Sequence, residues 1–149
     1  MIKFPQRPHT HDLYDIERGR FAVVEEDYHV AMDDGREIVI QHRYVTDYAS
    51  IPRAFRWLFL PRGRYSPAAL AHDWLYGAKR LVDNGKRRPC TRAEADRIFL
   101  DLMALLGVSW ATRRTMWIAV RAGGWISWKK ETLRWLSADG TEIIRMSEL

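Results

Sequence analysis

The sequence predicts an α+β fold: an N-terminal antiparallel β-meander or hairpin packed on a C-terminal three-helix half that contains an antiparallel His-Asp helix pair. Two observations carry this expectation. Asp33-Asp34-Gly35 lies between runs of β-branched and alternating residues, a strong short-range hairpin signal. Further along, Ser66-Pro67 and Thr91…Glu94 open two segments of helical periodicity with residues that start helices.

Taken in order, residues 1–18 read as an N-terminal arm and 19–50 as the β-rich part, with strands near 21–25, 28–32 and 36–45. Residues 51–136 read as the helical part and 137–149 as a tail or short strand, all within a single domain. Thr46–Arg53 has no clean period and reads as a loop or turn; Ala54–Leu60 is too short to assign, and Pro61–Tyr65 is a turn by its Pro and Gly. Ser66 is the expected N-cap of a helix over 67–80, with Pro67 at the first position, where a missing N–H costs nothing. The polar stretch 82–90 reads as a loop. Thr91 and Glu94 form a capping box for a helix over 92–106, whose stripe Phe99, Leu102, Met103, Leu106 repeats at helical spacing and whose stop is Gly107. A third helix is expected over 109–122, broken by Gly123-Gly124, and Ala138-Asp139-Gly140 turns toward a last short strand.

At 149 residues, with 47% hydrophobic and 29% charged residues, the composition excludes collagen-like, low-complexity and disulfide-scaffold classes. The one cysteine, Cys90, cannot form an internal disulfide, which points to a reducing compartment. No run of apolar residues is long enough to span a bilayer, and the N-terminus lacks the apolar core of a signal peptide. Together these predict a small soluble protein that is not exported by the standard route. The net charge of +5 is uneven: residues 1–50 carry 6 Lys/Arg against 10 Asp/Glu, and residues 51–149 carry 18 against 9. A basic remainder after an acidic first third suggests two surfaces with different partners.

The chemistry-bearing pattern lies on the first two helices. His72 and Tyr76 stand at i and i+4 and share a face, while Asp73 points about 100° round from His72. Asp96 falls on or beside the apolar stripe of the second helix, one turn before Phe99, where an unpaired carboxylate is costly. Antiparallel pairing across 82–90 brings Asp96 opposite Tyr76, and a small offset brings it to His72. A carboxylate that holds one imidazole nitrogen as a donor leaves the other free to take a proton from water. Asp73 is then available for a hard cation that polarises an ester carbonyl. The alternative is a polar cluster that only ties the helices together.

Ala-Leu-Ala-His72-Asp73-Trp-Leu-Tyr76, followed by a loop and Ala-Glu-Ala-Asp96-Arg-Ile-Phe99, resembles the active-site helix pair of phospholipase A2. The likeness is to the disulfide-free branch of small viruses and to the bacterial branch, and it covers roughly residues 66–103. It implies His72 as general base, Asp73 as a calcium ligand, Asp96 as the residue that orients His72, and Tyr76 as a hydrogen-bond partner of Asp96. The family's Gly-rich calcium loop is missing; only Gly63 lies upstream, and Asp47 is the candidate replacement ligand. A second pattern spans about residues 19–128: a hairpin, Thr-Asp-x-Ala-Ser-Ile-Pro-Arg, His-Asp-x-x-Tyr, Ala-Asp-x-x-Phe, and Arg-x-Met-(Trp/Tyr)-x-Ala-Val-Arg-x-Gly-Gly. It resembles an uncharacterised family of phage and prophage proteins and implies a phage origin, with a location in the bacterial host cytoplasm or the phage virion, without an activity.

Other residues carry less. A His-Asp metal-dependent phosphohydrolase needs a further His and Asp; His42 and Asp101 are available, but His42 falls in an expected strand whereas that fold is helical. His9 and His11 belong to the N-terminal arm, and Cys90 has no partner motif. Residues 109–135 hold Trp110, Trp117, Trp125, Trp128 and Trp135 with six Arg/Lys and only Glu131 acidic. Core or a homo-oligomer interface is the favoured reading of this segment, ahead of a phospholipid or bacterial-envelope surface, with nucleic acid last because no nucleic-acid-binding motif accompanies the charge. Two functions follow: a phospholipase-A2-like, cation-dependent hydrolase, which the buried-Asp arrangement favours, or a non-enzymatic phage structural or assembly protein.

Overall fold

A computed structural model describes residues 10–15, 19–46, 65–130 and 133–145. The element order is β1 (Thr10–Asp15), β2 (Gly19–Val24), β3 (Tyr28–Ala31), β4 (Arg36–Ile40), β5 (Val45–Thr46), α1 (Ser66–Ala78), β6 (Arg80–Asp83), β7 (Lys86–Pro89), α2 (Arg92–Leu105), α3 (Trp110–Lys130), β8 (Arg134–Leu136) and β9 (Ile143–Arg145). Antiparallel strands and three helices make the class α+β, as expected.

The β3–β4 hairpin forms where Asp33-Asp34-Gly35 places it. Gly35 sits at φ 86°, and its N–H donates to Met32 O at 3.2 Å while Met32 N–H donates to Arg36 O at 2.8 Å, a three-residue hairpin loop with glycine in the left-handed position. In this register Tyr28 faces Ile40 and Val30 faces Ile38, so one face of the pair enters the core.

The expected strand over 36–45 is two strands in different sheets. The chain turns at Gln41–Arg43, where Arg43 adopts φ 64° and the Asp27 carboxylate accepts the His42 N–H at 2.7 Å. It then re-emerges as β5, in a sheet ordered β1-β2-β5, whereas β4 lies in a sheet ordered β3-β4-β6-β7. Thr10–Asp15, expected in an arm, is strand β1 and pairs with β2.

The largest correction falls at 82–90, which is a hairpin. Asn84 (φ 47°) and Gly85 (φ 77°) make the left-handed two-residue turn between β6 and β7, and β6 adds to the edge of β4. The flanking residues, such as Lys86-Arg87-Arg88, carry no apolar alternation, so the turn dipeptide was the available signal. The expected helical part is therefore interrupted by β6–β7 and again by β8, which pairs with β9 beyond Gly140 (φ 76°).

At the helix ends, Tyr65 and not Ser66 is the N-cap of α1, and it supplies no side-chain cap; Pro67 keeps its place in the first turn. Thr91 caps α2 by accepting the Glu94 N–H at 3.2 Å, but the Glu94 carboxylate turns to Arg88 at 2.7 Å and Arg36 at 3.3 Å. Helix α2 ends as expected at Gly107 (φ 73°), with Val108 N–H donating to Met103 O and Gly107 N–H to Ala104 O. Gly123-Gly124 does not break α3, which runs on to Lys130.

Helix α1 occupies the centre. Its residues from Pro67 through Tyr76 are all buried, packed against β4 and β6 of one sheet, β5 of the other, and the helices α2 and α3. A helix enclosed all round has no solvent face for polar residues, so each polar side chain it carries must find partners inside the protein. Among the described residues, no helix is long and apolar enough to cross a membrane.

Candidate functional site

His72 and Asp73 are adjacent on α1, and about 100° of helical rotation sends them to different neighbours. The His72 Nε2 lies 2.8 Å from Asp96 Oδ1 on α2. Tyr76, one turn on, donates its hydroxyl to the same oxygen at 2.6 Å. The i, i+4 spacing thus converges two side chains on one carboxylate, as anticipated. The imidazole is held between the Tyr76 and Phe99 rings, with centroids 4.2 and 4.6 Å away. His72 and Asp96 are 1% and 0% exposed.

The other carboxylate oxygen is taken by arginines. Arg121 of α3 donates from Nη1 to Asp96 Oδ2 at 2.8 Å, and Arg92 stands 3.6 Å from it. Arg92 also donates to Arg121 O at 3.0 Å, which ties α2 to α3. Burial works against the charge on Asp96, but the hydrogen bonds from His72, Tyr76 and Arg121 outweigh it and hold the carboxyl below its ordinary value. Burial first, and then the Asp96 charge, push the Tyr76 phenol far upward, so it stays a donor.

Because an ionised Asp96 only accepts, His72 Nε2 carries the proton that faces it, and in the neutral ring Nδ1 carries the lone pair. Asp96 is the hydrogen-bond partner of His72 among the described residues. The group can therefore hold a neutral imidazole in one tautomer with a basic nitrogen directed away from the carboxylate.

Asp73 faces the sheet. Its Oδ2 accepts from Tyr44 Oη at 3.1 Å and from Thr46 Oγ1, across the point where the chain switches sheets. Asp73 and Thr46 are 1% and 0% exposed. Asp47 lies outside the described residues, as do His9 and the segments 47–60 and 61–64. Among the described residues, no group of three or more His, Cys, Asp or Glu is arranged to hold a metal ion.

The remaining candidates fall away from this centre. His42 is exposed and pairs with Asp27, and Asp101 pairs with Arg97, so neither reaches His72 as a phosphohydrolase would require. Cys90 is buried, and burial pushes its thiol up to about 12, which makes it unreactive. Trp110, in the segment read as core or a homo-oligomer interface, is 66% exposed, while Trp117 is partly buried.

Sequence reasoning did not find Arg92, Arg121, Tyr44, Thr46 or Gly124. Gly124 belongs to the centre because a Cβ there would stand 2.5 Å from the Tyr76 hydroxyl. The glycine that reads as a helix breaker is a point where α3 packs closely against Tyr76 of α1. Arg121 and Gly124 both sit in the Arg-x-Gly-Gly element of the longer sequence pattern, which was the one signal for them.

The profile of a family described as "Protein of unknown function (DUF1353)" matches residues 22–120. The chain belongs to this family. The DUF1353 match takes in Tyr44, Thr46, His72, Asp73, Tyr76, Arg92 and Asp96, while Arg121 and Gly124 follow its end. No curated protein and no solved structure matches this DUF1353 chain.

Proposed function

We propose that this chain is a phage-encoded, phospholipase-A2-like hydrolase in which His72 acts as general base on an ester substrate. The observation that carries the reading is the buried contact between His72 Nε2 and Asp96 at 2.8 Å, which orients Nδ1 as the basic nitrogen. In the reaction, Nδ1 takes a proton from water as the water oxygen adds to the ester carbonyl. The tetrahedral intermediate then expels the alcohol, which recovers the proton from the imidazolium. Asp96 stabilises the transient imidazolium, and Tyr76 and Arg121 keep Asp96 ionised and in place. Since His72 is 1% exposed, turnover requires an opening that admits substrate. The phage assignment rests on the longer sequence pattern.

In the phospholipase-A2 likeness a calcium ion sits on Asp73, here with Asp47. The described residues do not fit that group: Asp73 is buried, its Oδ2 accepts two hydroxyls, and no metal-ligating cluster surrounds it among the described residues. No step above runs through a metal. Calorimetric titration with calcium, using Asp73→Asn as control, tests this part. A saturable, Asp73-dependent heat would return the cation to the site; none up to several millimolar leaves the dyad to act as base without it.

One observation favours a second reading, a non-enzymatic phage structural or assembly protein with a helix clasp. Both oxygens of a fully buried Asp96 are engaged by side chains from α1, α2 and α3. The two readings separate on His72→Gln, assayed against phospholipid vesicles and simple aryl esters. A hydrolase loses about 100-fold or more in rate, the usual worth of a general base, with a nearly unchanged melting temperature. A clasp has no turnover to lose and melts lower.

A further inference from the structure

The outward face of α3 is apolar where a solvent-facing helix is normally polar. Trp110, Ile118, Trp125 and Ile126 are 66%, 59%, 50% and 45% exposed, and Leu105, just before the turn into α3, is 47% exposed. At about 100° per residue these four positions of α3 fall within roughly 160° of arc, opposite the buried Met116, Ala119, Val120 and Gly124. The exposed apolar residues thus share one side of the helix, where Arg114 and Lys129 stand among them.

Its charge has one sign. Between Trp110 and Lys130 the helix carries no Asp or Glu, and of its five Lys/Arg, Arg114, Lys129 and Lys130 are exposed while Arg113 donates to Val108 O and Arg121 to Asp96. Two of these cations accompany the indoles directly: Lys129 Nζ lies 5.3 Å from the Trp125 ring centre, and the Arg114 guanidinium 5.8 Å from that of Trp117. A helix with Trp and Ile outward and cations among them is suited to lie in the boundary between headgroups and acyl chains.

We propose that this face of α3 docks on the surface of an anionic phospholipid bilayer, with Ile118 and Trp125 at the middle of the contact and Trp110 and Ile126 at its two sides. Charge decides among the occupants. A second copy placed on the same face by a two-fold axis would set the exposed Arg114, Lys129 and Lys130 against the same three cations. A nucleic acid would satisfy the cations but give exposed Ile118 and Ile126 nothing to bury against. An anionic bilayer satisfies both. This inference does not depend on the chemistry of His72, because docking needs no turnover.

The test is co-sedimentation of the full chain with vesicles of phosphatidylglycerol and phosphatidylcholine, and with vesicles of phosphatidylcholine alone. The comparison is Ile118→Gln/Trp125→Gln, two exposed sites whose replacement leaves the core intact, as checked by circular dichroism. The wild-type chain is expected to pellet with the anionic vesicles, more weakly as salt rises and little with the neutral ones. The double variant should bind about tenfold less or weaker. Three results would each overturn the proposal: no pelleting with anionic vesicles, equal pelleting of the double variant, or a stable dimer in solution that the double variant dissolves.

Discussion

Asp96 accepts from a histidine, a tyrosine and an arginine in a place closed to water, so its protonation removes the acceptor around which three helices are arranged. A carboxyl held below its unfolded value, 3.8, adds stability that is fully present above that value and is lost as the pH falls through the lower folded value. The expected outcome is an acid limb of the melting temperature that begins near pH 4 and steepens below it. In Asp96→Asn that part of the limb is absent; an unchanged limb would assign it to other carboxylates. At Gly124 a methyl group would meet the Tyr76 hydroxyl at 2.5 Å, under van der Waals contact. Gly124→Ala is expected to cost about 1–3 kcal/mol, the usual range for overpacking a core. Tyr76→Phe removes the obstructing oxygen, so the double variant should lose less than the sum of the two single changes in chemical denaturation. Simple additivity would mean that the contact is not the cause.

Among the elements, the hairpin β6–β7 shows what a linear reading of the sequence catches and what it misses. Its turn is written in Asn84-Gly85, but β7 is charged and forms the edge of the sheet, where no apolar alternation is required, and β6 is only four residues long. Gly85 stands at φ 77° with nothing near its absent Cβ. Gly85→Val is therefore expected to cost about 1–2 kcal/mol through backbone strain alone, while Gly85→Asn is close to neutral. Equal losses from both would point to a contact made by the glycine. The helix pair was legible for a local reason: His72 and Tyr76 are related by helical period, and Asp96 interrupts an apolar stripe where only a partnered carboxylate is tolerable. The partners of Asp73 were not legible, because Tyr44 and Thr46 lie 29 and 27 residues away and reach it only after the chain leaves one sheet for another at Arg43. Arg121 was hidden in the same way, 25 residues from Asp96 on a helix that the two glycines seemed to end.

Across the described molecule, one wholly buried helix divides the polar chemistry. On one side α1 turns His72 and Tyr76 to the Asp96 carboxylate and the arginines of α2 and α3; on the other it turns Asp73 to hydroxyls at the sheet. The charge asymmetry read from the sequence becomes local on α3, where five cations and an outward apolar face share one helix. The DUF1353 family match and the α+β architecture are the firm frame, and the His72–Asp96 dyad is the centre of the functional account. The most direct test of that centre is a long-range proton–nitrogen correlation spectrum of the imidazole, with His72→Gln assigning the signals. In the neutral form of the ring the proton is expected on Nε2, facing Asp96, and Asp96→Asn is expected to disturb this preference. A neutral ring protonated on Nδ1 would leave no basic nitrogen away from the carboxylate and would rule out His72 as the base.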